Sequence, residues 1–335
     1  MALDDVFTVT RPNQRNAATA DPFALAVAEY SGIVEGTIAR ESVTQGWIPI
    51  KNIRGTSSIR DEAVGGSGLA KITPGASPDG QGGTKWGRST LTVEAHCIAR
   101  ETMPLLDSFQ TDRDKRAEIG EEHGKHIAKF LDKALLIQAI KASQRTTSMF
   151  HDGSTELPNH AGGSTVTFAN AADVNDPALF IAKLIELFKA MEAKDVNLQR
   201  DGLVLVVKPT DFWTLAQAEL LINSDYVTAM GNKVQGGMVL KTYGVPVVST
   251  NNYAGGENIS GHLLSTTLNS NAFDGNYTKV RATLCSPRAV LAAENIPVTS
   301  EVFYNQDKKL WFIDSHFAMS AQPRRTEFSG SILLP

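Results

Sequence analysis

The sequence predicts an α+β protein with an N-terminal arm, an extended β-hairpin, one long helix and an α/β region. Three observations lead to this prediction. A stretch dense in Gly, Pro and Ser, residues 65–87, separates two segments of strand character. A continuous helical pattern runs over residues 111–144. Further along, an apolar run at residues 203–207 leads into a proline and an amphipathic helix, which is typical of α/β architecture.

The composition is that of an ordinary soluble globular protein. The chain has 335 residues, 42% of them hydrophobic and 20% charged, with a formal net charge of -4. This length predicts two packed regions. Lys and Arg are distributed along the whole chain, which argues against a protein whose main function is to bind nucleic acid. No apolar run is long enough to span a bilayer. The two cysteines, Cys97 and Cys285, are distant in sequence, and the N-terminus does not resemble a signal peptide. We therefore expect the protein to be made and used in a reducing cytoplasm.

The first half of the chain begins with a polar arm and a hairpin. Residues 1–46 are predicted to form the arm and a short helix that begins at Asp21 and Pro22. Residues 47–98 are predicted to form a long two-stranded excursion, whose second strand alternates from Arg88 to Arg100. Few large apolar residues cover this hairpin, and an isolated hairpin is marginally stable in water. We therefore expect it to lie against a neighbour, for which another copy of the chain is a natural candidate.

The pattern over residues 111–144 is the strongest secondary-structure signal. Thr111 is predicted to cap a helix about 50 Å long, at 1.5 Å per residue. Gly120 and Gly124 lie one turn apart and predict close backbone packing, since glycine otherwise weakens a helix. The apolar stripe consists of Ile127, Phe130, Leu131, Ala134 and Ile137.

The rest of the chain alternates helix and strand signals. A helix is predicted to begin at Asp176 and Pro177 and to bury Phe180, Leu184, Leu187, Phe188 and Met191. Strands are predicted at Thr165–Phe168, Leu203–Val207, the segment VPVVST (245–250) and Thr278–Cys285, with a short helix at Ala289–Ala293. The C-terminal segment predicts a β-hairpin that turns at Asn305–Lys308.

The motifs of common catalytic sites do not match the sequence. The stretch GGSGLAK lacks the phosphate-loop spacing, and Leu69 breaks the nucleophile-elbow pattern around Ser67. His123 and His126 are three residues apart on the predicted helix, a spacing at which both could bind one metal ion. Their position on a solvated helix face explains them equally well. Asp211, in the turn after the apolar strand, is predicted to be structural. We therefore assign no catalytic, cofactor-binding or metal-binding residues.

The order of these segments resembles the major capsid proteins of tailed bacteriophages, the HK97-like family, and most closely those of short-tailed phages. The resemblance covers the chain from about Phe23 to the end. It is carried by the segments FALAVAEYSGIVEGTIARESVT, GTSSIRDEAVGGSGLAKITPG, TDRDKRAEIGEEHGKHIAKFLDKALLIQAI, LVLVVKPTDFWTLAQA, YGVPVVSTNN and HFAMSAQPRRTEFSGSILLP.

The resemblance implies a division into four parts. Residues 1–46 would form the arm and short helix, and residues 47–98 the extended loop, lying over an adjacent subunit. Residues 99–175 and 295–335 would form a peripheral domain around the spine helix, and residues 176–294 the axial domain. Candidates for contacts between subunits are Ile59, Arg60, Leu69, Lys71, Ile72, Trp86, Arg88, Arg324 and Arg325.

The resemblance also implies a function. Such a protein assembles as hexamers and pentamers into an icosahedral shell around double-stranded DNA, in the host bacterial cytoplasm, and becomes the capsid of the virion. Its implied partners are its own copies, a scaffolding protein, a portal protein and, as a further candidate, a cement or decoration protein. The packaged DNA is enclosed without sequence-specific binding, and no cofactor, enzymatic activity or membrane is implied. Two alternatives stay open: an encapsulin-like shell that encloses enzymes, and an α/β enzyme, which would need a convergent polar site.

Overall fold

The computed structural model describes residues 33–34, 36–38, 42–44, 46–66, 71, 74, 84–106, 115–152, 155–217 and 240–335. The predicted helix start at Asp21 and Pro22, the predicted cap Thr111, and the contact candidates Leu69 and Ile72 lie outside these ranges. Within them, no helix is both long enough and apolar enough to cross a membrane.

The strands and helices of the described residues are numbered here along the chain. The first part contains β1 Ile50–Asn52, β2 Ser58–Gly65, β3 Lys85–Thr92, β4 His96–Pro104, α1 Lys115–Gln144, β5 His151–Asp152, β6 Thr155–Glu156 and β7 Ser164–Thr167. The middle part contains α2 Pro177–Glu192, β8 Val204–Val207, α3 Pro209–Ala216, β9 Leu240–Thr242, β10 Val245–Ser249, β11 Asn258–Ile259 and β12 Gly275–Asn276. The last part contains β13 Val280–Cys285, β14 Val290–Asn305, β15 Leu310–Pro323 and β16 Ser329–Leu333.

The chain divides into two compact units. Unit one includes residues 95–131 and 294–319, and unit two consists of residues 43–94, 132–293 and 320–335. In unit one, β14, β15 and β4 lie side by side in that order, and β15 runs antiparallel to β4. The first half of α1 packs on this sheet, where the rings of Phe130 and Phe317 lie 5.8 Å apart.

Unit two is built on a six-stranded mixed sheet in the order β7-β16-β13-β8-β10-β9. Its inner strand β8 is almost wholly apolar and buried, as predicted for a strand covered on both faces. Ser329 Oγ donates a hydrogen bond of 2.8 Å to Ala139 O of α1, whereas the next residue, Gly330, faces Leu187 and Met191 of α2. Because successive strand residues point to opposite faces, α1 and α2 cover opposite faces of this sheet.

The long helix α1 confirms the strongest sequence signal. Its 30 described residues correspond to about 45 Å at 1.5 Å per residue. In the predicted stripe, Ile127, Ala134 and Ile137 are buried, and Phe130 and Leu131 are half-buried. A Cβ atom at Gly124 would lie 2.7 Å from Thr37 Cβ, which confirms the close packing expected there.

The helix α2 and the C-terminal hairpin also agree with prediction. Asp176 caps α2, accepting a hydrogen bond of 2.9 Å from Ala178 N, and Pro177 occupies the first turn. All five apolar residues predicted for its buried face are buried. Between β14 and β15, Asn305 Oδ1 accepts hydrogen bonds from the backbone N–H groups of Asp307 and Lys308.

Two segment predictions are wrong. Residues 289–293, predicted as a short helix, lie largely in β14; Val290, Leu291, Ala292 and Ala293 are all buried, and a short, wholly apolar run does not distinguish strand from helix. The alternating segment from Arg88 to Arg100 is not one strand. It divides into β3, which pairs with β2, and β4, which pairs with β15 from a distant part of the sequence.

The expected peripheral and axial domains stay a prediction, because position in a shell is not a property of a single chain. Within the chain, β16 pairs with β13 and β7, so the last residues complete the sheet of unit two.

Candidate functional site

The hairpin of β2 and β3 is the candidate functional site, because its two faces differ in exposure. The strands pair antiparallel from Ser58 opposite Thr92 to Gly65 opposite Lys85. Residues directly opposite each other share a face, and the faces alternate along each strand. We call the buried side the inner face, which carries Asp61, Ala63, Gly65, Gly87, Ser89 and Leu91. The exposed side is the outer face, which carries Arg60, Glu62, Val64, Trp86 and Arg88.

The inner face is held by apolar contacts within unit two. Ala63 packs in a small buried cluster with Phe150 and Leu157. A Cβ atom at Gly65 would lie 2.7 Å from Leu157 Cβ, and one at Gly87 would lie 2.8 Å from Leu157 Cδ1. Both approaches are closer than ordinary contact distances, so a side chain at either position would displace its neighbours.

Polar contacts hold the same face to the C-terminal segment. Arg324 Nε and Nη2 donate to Asp61 Oδ2 and Oδ1 at 2.5 and 2.8 Å, a bidentate arrangement with strong geometric specificity. Gln322 Nε2 donates a hydrogen bond of 2.9 Å to Ser89 Oγ. Each strand of the hairpin is therefore fixed by one side chain from residues 322–324.

The outer face presents an apolar pair beside charges. Val64 lies directly opposite Trp86, and these side chains are 47% and 62% exposed. Glu62 lies opposite Arg88 in the adjacent pair. An open groove of about 360 Å³ beside Trp86 extends to His151 and Asp152. An exposed tryptophan next to an aliphatic side chain and opposite charges has the composition of a protein–protein contact.

The structure places the predicted contact residues in different settings. Arg60, Trp86 and Arg88 share the outer face, Lys71 is exposed, and Ile59 is half-buried opposite Leu91. Arg324 and Arg325 are both half-buried and engaged within their own chain. Arg325 lies 4.0 Å from Glu327 and over the ring of Phe328. The role of all these residues in contacts between subunits stays a prediction.

A buried ionisable pair beneath the hairpin was missed by sequence reasoning. His160 Nε2 lies 3.3 Å from Val64 O, and its Nδ1 lies 3.7 Å from Glu327 Oε1. Burial lowers the pKa of His160 and raises the pKa of Glu327. No local pattern signals this pair, because the two residues come from distant segments that the fold brings together.

The residues considered for chemistry are held in structural contacts. Asp211 is buried and its Oδ1 accepts a hydrogen bond of 2.7 Å from Arg281 Nη2, while burial raises its pKa. His126 lies on an exposed helix face with its Nε2 3.1 Å from Glu122 Oε1. The expectation of a solvated face is wrong for His123, which is buried with its Nε2 3.9 Å from Glu101 Oε2.

The described part of the chain contains no group of three or more His, Cys, Asp or Glu side chains placed to hold a metal ion. Cys285 is buried, as predicted, and burial raises the pKa of its thiol.

Comparison with solved structures places this fold. The chain is similar to the capsid of cyanophage P-SCSP1u, with a TM-score of 0.73, 18% identity and 88% of each chain covered. It is similar to the mature capsid of bacteriophage PhiM1, with a TM-score of 0.67, 22% identity and coverage of 88% of this chain and 87% of that one. It is also similar to a virus-like particle from Pyrococcus furiosus, with a TM-score of 0.53, 9% identity and coverage of 92% and 99%. No protein-family model and no curated protein matches the sequence.

These similarities place the chain among the α+β proteins whose fold is found in phage capsid structures. More particularly, the chain has the HK97-like fold, as the sequence resemblance predicts.

Proposed function

We propose that the chain is the major capsid protein of a short-tailed bacteriophage. In this proposal, copies assemble as hexamers and pentamers into an icosahedral shell that encloses double-stranded DNA. The HK97-like fold supports the proposal, and the two-faced hairpin is the observation that carries it. One face is fixed to the chain itself, and the other presents Val64 and Trp86 to solvent.

Burial of this exposed pair would favour binding of the hairpin to a second copy. Covering a large apolar side chain contributes about 1.5–3 kcal/mol, and aromatic residues are frequent anchors of protein contacts. Because the inner face is already fixed, little conformational freedom is lost when the outer face is covered. Modest contacts of this kind add up when each copy repeats them in a closed shell.

The partners and location follow from the same proposal. A scaffolding protein would guide assembly, a portal protein would occupy one vertex, and a cement or decoration protein is a further candidate. The net charge of -4 favours a container that does not bind its genome tightly. The assembled protein would lie in the virion capsid after assembly in the bacterial cytoplasm, with no catalytic role.

The alternative is an encapsulin-like shell, which the similarity to a virus-like particle supports. The phage capsids have higher TM-scores, 0.73 and 0.67 against 0.53, and therefore favour the phage proposal. The content of purified shells separates the two, since nuclease-protected DNA supports a phage capsid and an enclosed enzyme supports the alternative.

Replacing Trp86 tests the observation that carries the proposal. Trp86→Ala should leave the unassembled protein folded, by circular dichroism, but should reduce the yield of shells in size-exclusion chromatography and negative-stain microscopy. Trp213→Ala is the matched control, because Trp213 is similarly exposed on α3. Equal shell yields from the two variants would contradict the role of the outer face.

A further inference from the structure

Residues 258–276 form a loop that exposes two leucines. Leu263 and Leu268 are 70% and 80% exposed, the highest values among the large apolar side chains of the described residues. We call this segment the leucine loop. Two other apolar residues of the same loop, Leu264 and Phe273, are buried. The loop therefore buries some of its apolar side chains and exposes others.

The leucine loop is fixed by its own hydrogen bonds. The Asp274 carboxylate accepts from Gly261 N and His262 N at 2.9 Å each and from Ser265 Oγ at 2.7 Å. Asn269 accepts from Thr266 N and donates to Leu264 O. The loop is also joined to α1, because Gln138 and Lys141 both donate to Ala272 O. A loop held in this way presents its leucines with little entropy left to lose on binding.

A groove of about 570 Å³ lies elsewhere on unit two, along α2. Its apolar lining comes from Ile185, Phe188, Leu198 and Tyr243, with the amides of Asn197 and Gln199 beside them. The ring of Tyr243 meets that of Phe188 edge to face at 6.0 Å. We call this the Tyr243 groove.

The backbone at Tyr243 has a conformation that disfavours its residue type. Tyr243 and Gly244 form the two-residue turn between β9 and β10, with φ values of 51° and 85°. Such turns strongly favour Asn, Asp or Gly, because a bulky side chain at positive φ is strained. Here the strained position holds a tyrosine that is mostly exposed. Strained backbone positions are more frequent at binding sites than elsewhere.

The loop and the groove lie on opposite faces of the same sheet. The leucine loop is joined to α1, and the groove is lined by α2, which covers the other face. Two different surfaces on opposite faces suit a head-to-tail contact, which repeats from copy to copy and forms a ring when the rotation between copies closes.

Charge also fits a contact between copies. Within the leucine loop, residues 258–273 contain no Asp, Glu, Lys or Arg. The charge of Asp274 is already engaged inside the loop by Gly261 N, His262 N and Ser265 Oγ, so docking leaves no charge of the loop unpaired. The groove contributes Lys189 and Glu192, one charge of each sign. The leucines would pack against the apolar lining of the groove. The hydroxyl and amide side chains of the loop could form hydrogen bonds with the amides of Asn197 and Gln199.

We propose that the leucine loop of one copy docks in the Tyr243 groove of the next copy, as a head-to-tail contact within unit two. This inference rests on the proposed function, since it names a contact by which the shell is built. It concerns a surface different from the hairpin.

Cysteine crosslinking tests the contact directly. The variant Leu268→Cys with Gln199→Cys is assembled and treated with a short bismaleimide. A head-to-tail contact predicts a ladder of covalent dimers, trimers and larger rings on a denaturing gel. The single variants Leu268→Cys and Gln199→Cys should give no ladder. They also control for the native Cys97, which is half-buried, and Cys285, which is buried.

Other gel patterns would overturn the inference. Dimers from Leu268→Cys alone would indicate a loop-to-loop contact, and normal shells without crosslinks in the double variant would exclude this docking. Neither result would affect the proposed function. If the wild-type protein forms no shells or capsomers, both the proposed function and this inference are contradicted.

A second measurement covers the case in which cysteine at these positions prevents assembly. Leu263→Ser with Leu268→Ser should reduce shell yield by about tenfold or more while leaving thermal unfolding of the unassembled protein unchanged, because the leucines are exposed there. Leu106→Ser is the matched control, since Leu106 is 64% exposed and lies in unit one. Equal yields from the two variants would overturn the inference.

Discussion

Arg324 and Asp61 lie 263 positions apart in the sequence and form a bidentate ion pair that fixes the hairpin to the C-terminal segment. The Asp61 side chain is buried, whereas that of Arg324 is about one-third exposed. The pair therefore gives the hairpin a defined position on its own subunit, while the outer face stays open. In the proposed shell this pair positions the hairpin, and Trp86 and Val64 make the contact.

Removing Arg324 should destabilise the folded chain. Arg324→Ala leaves the buried Asp61 carboxylate without its bidentate partner, and we expect a loss of about 2–3 kcal/mol in the free energy of unfolding. Urea unfolding of the unassembled protein measures this loss. Arg60→Ala, on the outer face of the same strand, should change the value by less than about 0.5 kcal/mol. Similar losses in both variants would show that the ion pair has no special role.

Adding one methyl group to the inner face should displace the hairpin. Gly87→Ala places a Cβ atom 2.8 Å from Leu157 Cδ1 and 3.0 Å from the backbone of His151, and we expect a destabilisation of about 1–3 kcal/mol. Thermal unfolding checks this value. Gly36→Ala is the control, because residue 36 has helical conformation, its Cβ would meet nothing within 4 Å, and alanine favours a helix over glycine. A neutral Gly87→Ala variant would contradict the tight fit of the inner face.

Acidification should weaken the leucine loop through His262. Burial lowers the pKa of this histidine from 6.5 to about 4, while its ring stacks on Phe273 at 5.2 Å. Between these two values the unfolded chain binds the proton more readily, so stability is lost as the pH falls from 6.5 towards 4.

Replacing His262 tests this pH dependence. His262→Gln should reduce the decrease of unfolding free energy with falling pH, measured in urea at several pH values. His126→Gln, at an exposed position, controls for the general effect of replacing a histidine by glutamine. A His262→Gln curve parallel to that of the wild type would exclude the assigned role.

Deleting residues 74–83, the tip of the extended loop that the sequence predicts, should impair shell formation and leave the monomer folded. Of these residues only residue 74 lies in the described ranges. The paired strands end at Gly65 and Lys85, so the deletion leaves the anchored part of the hairpin in place. Circular dichroism and negative-stain microscopy provide the two measurements. Replacing the same residues by a Gly/Ser segment of equal length separates the effect of length from that of side chains. Shells in normal yield from the deletion would contradict the assignment of the extended loop.

The sequence predicts those parts of the fold that local patterns determine. The cap at Asp176 and the buried face of α2 follow from residues within one segment, and so does the apolar strand β8. The pairing of β4 with β15 could not be predicted in this way, because the partners are distant in sequence and the alternation runs through the break at residues 93–95.

The candidate site was predicted in part for the same reason. Alternation along the hairpin is local, and Arg60, Trp86 and Arg88 indeed share one face. The partner of Arg324 could not be anticipated, because only the folded chain brings Asp61 within hydrogen-bond distance. The His160–Glu327 pair and the Tyr243 groove likewise depend on tertiary packing.

Negative-stain microscopy of the wild-type protein, expressed with and without its candidate scaffolding protein, tests the central claim most directly. A capsid protein should form closed shells, or hexameric and pentameric capsomers, in at least one of these conditions. A uniform monomer or dimer in both conditions would contradict the proposed function and favour an enzyme instead.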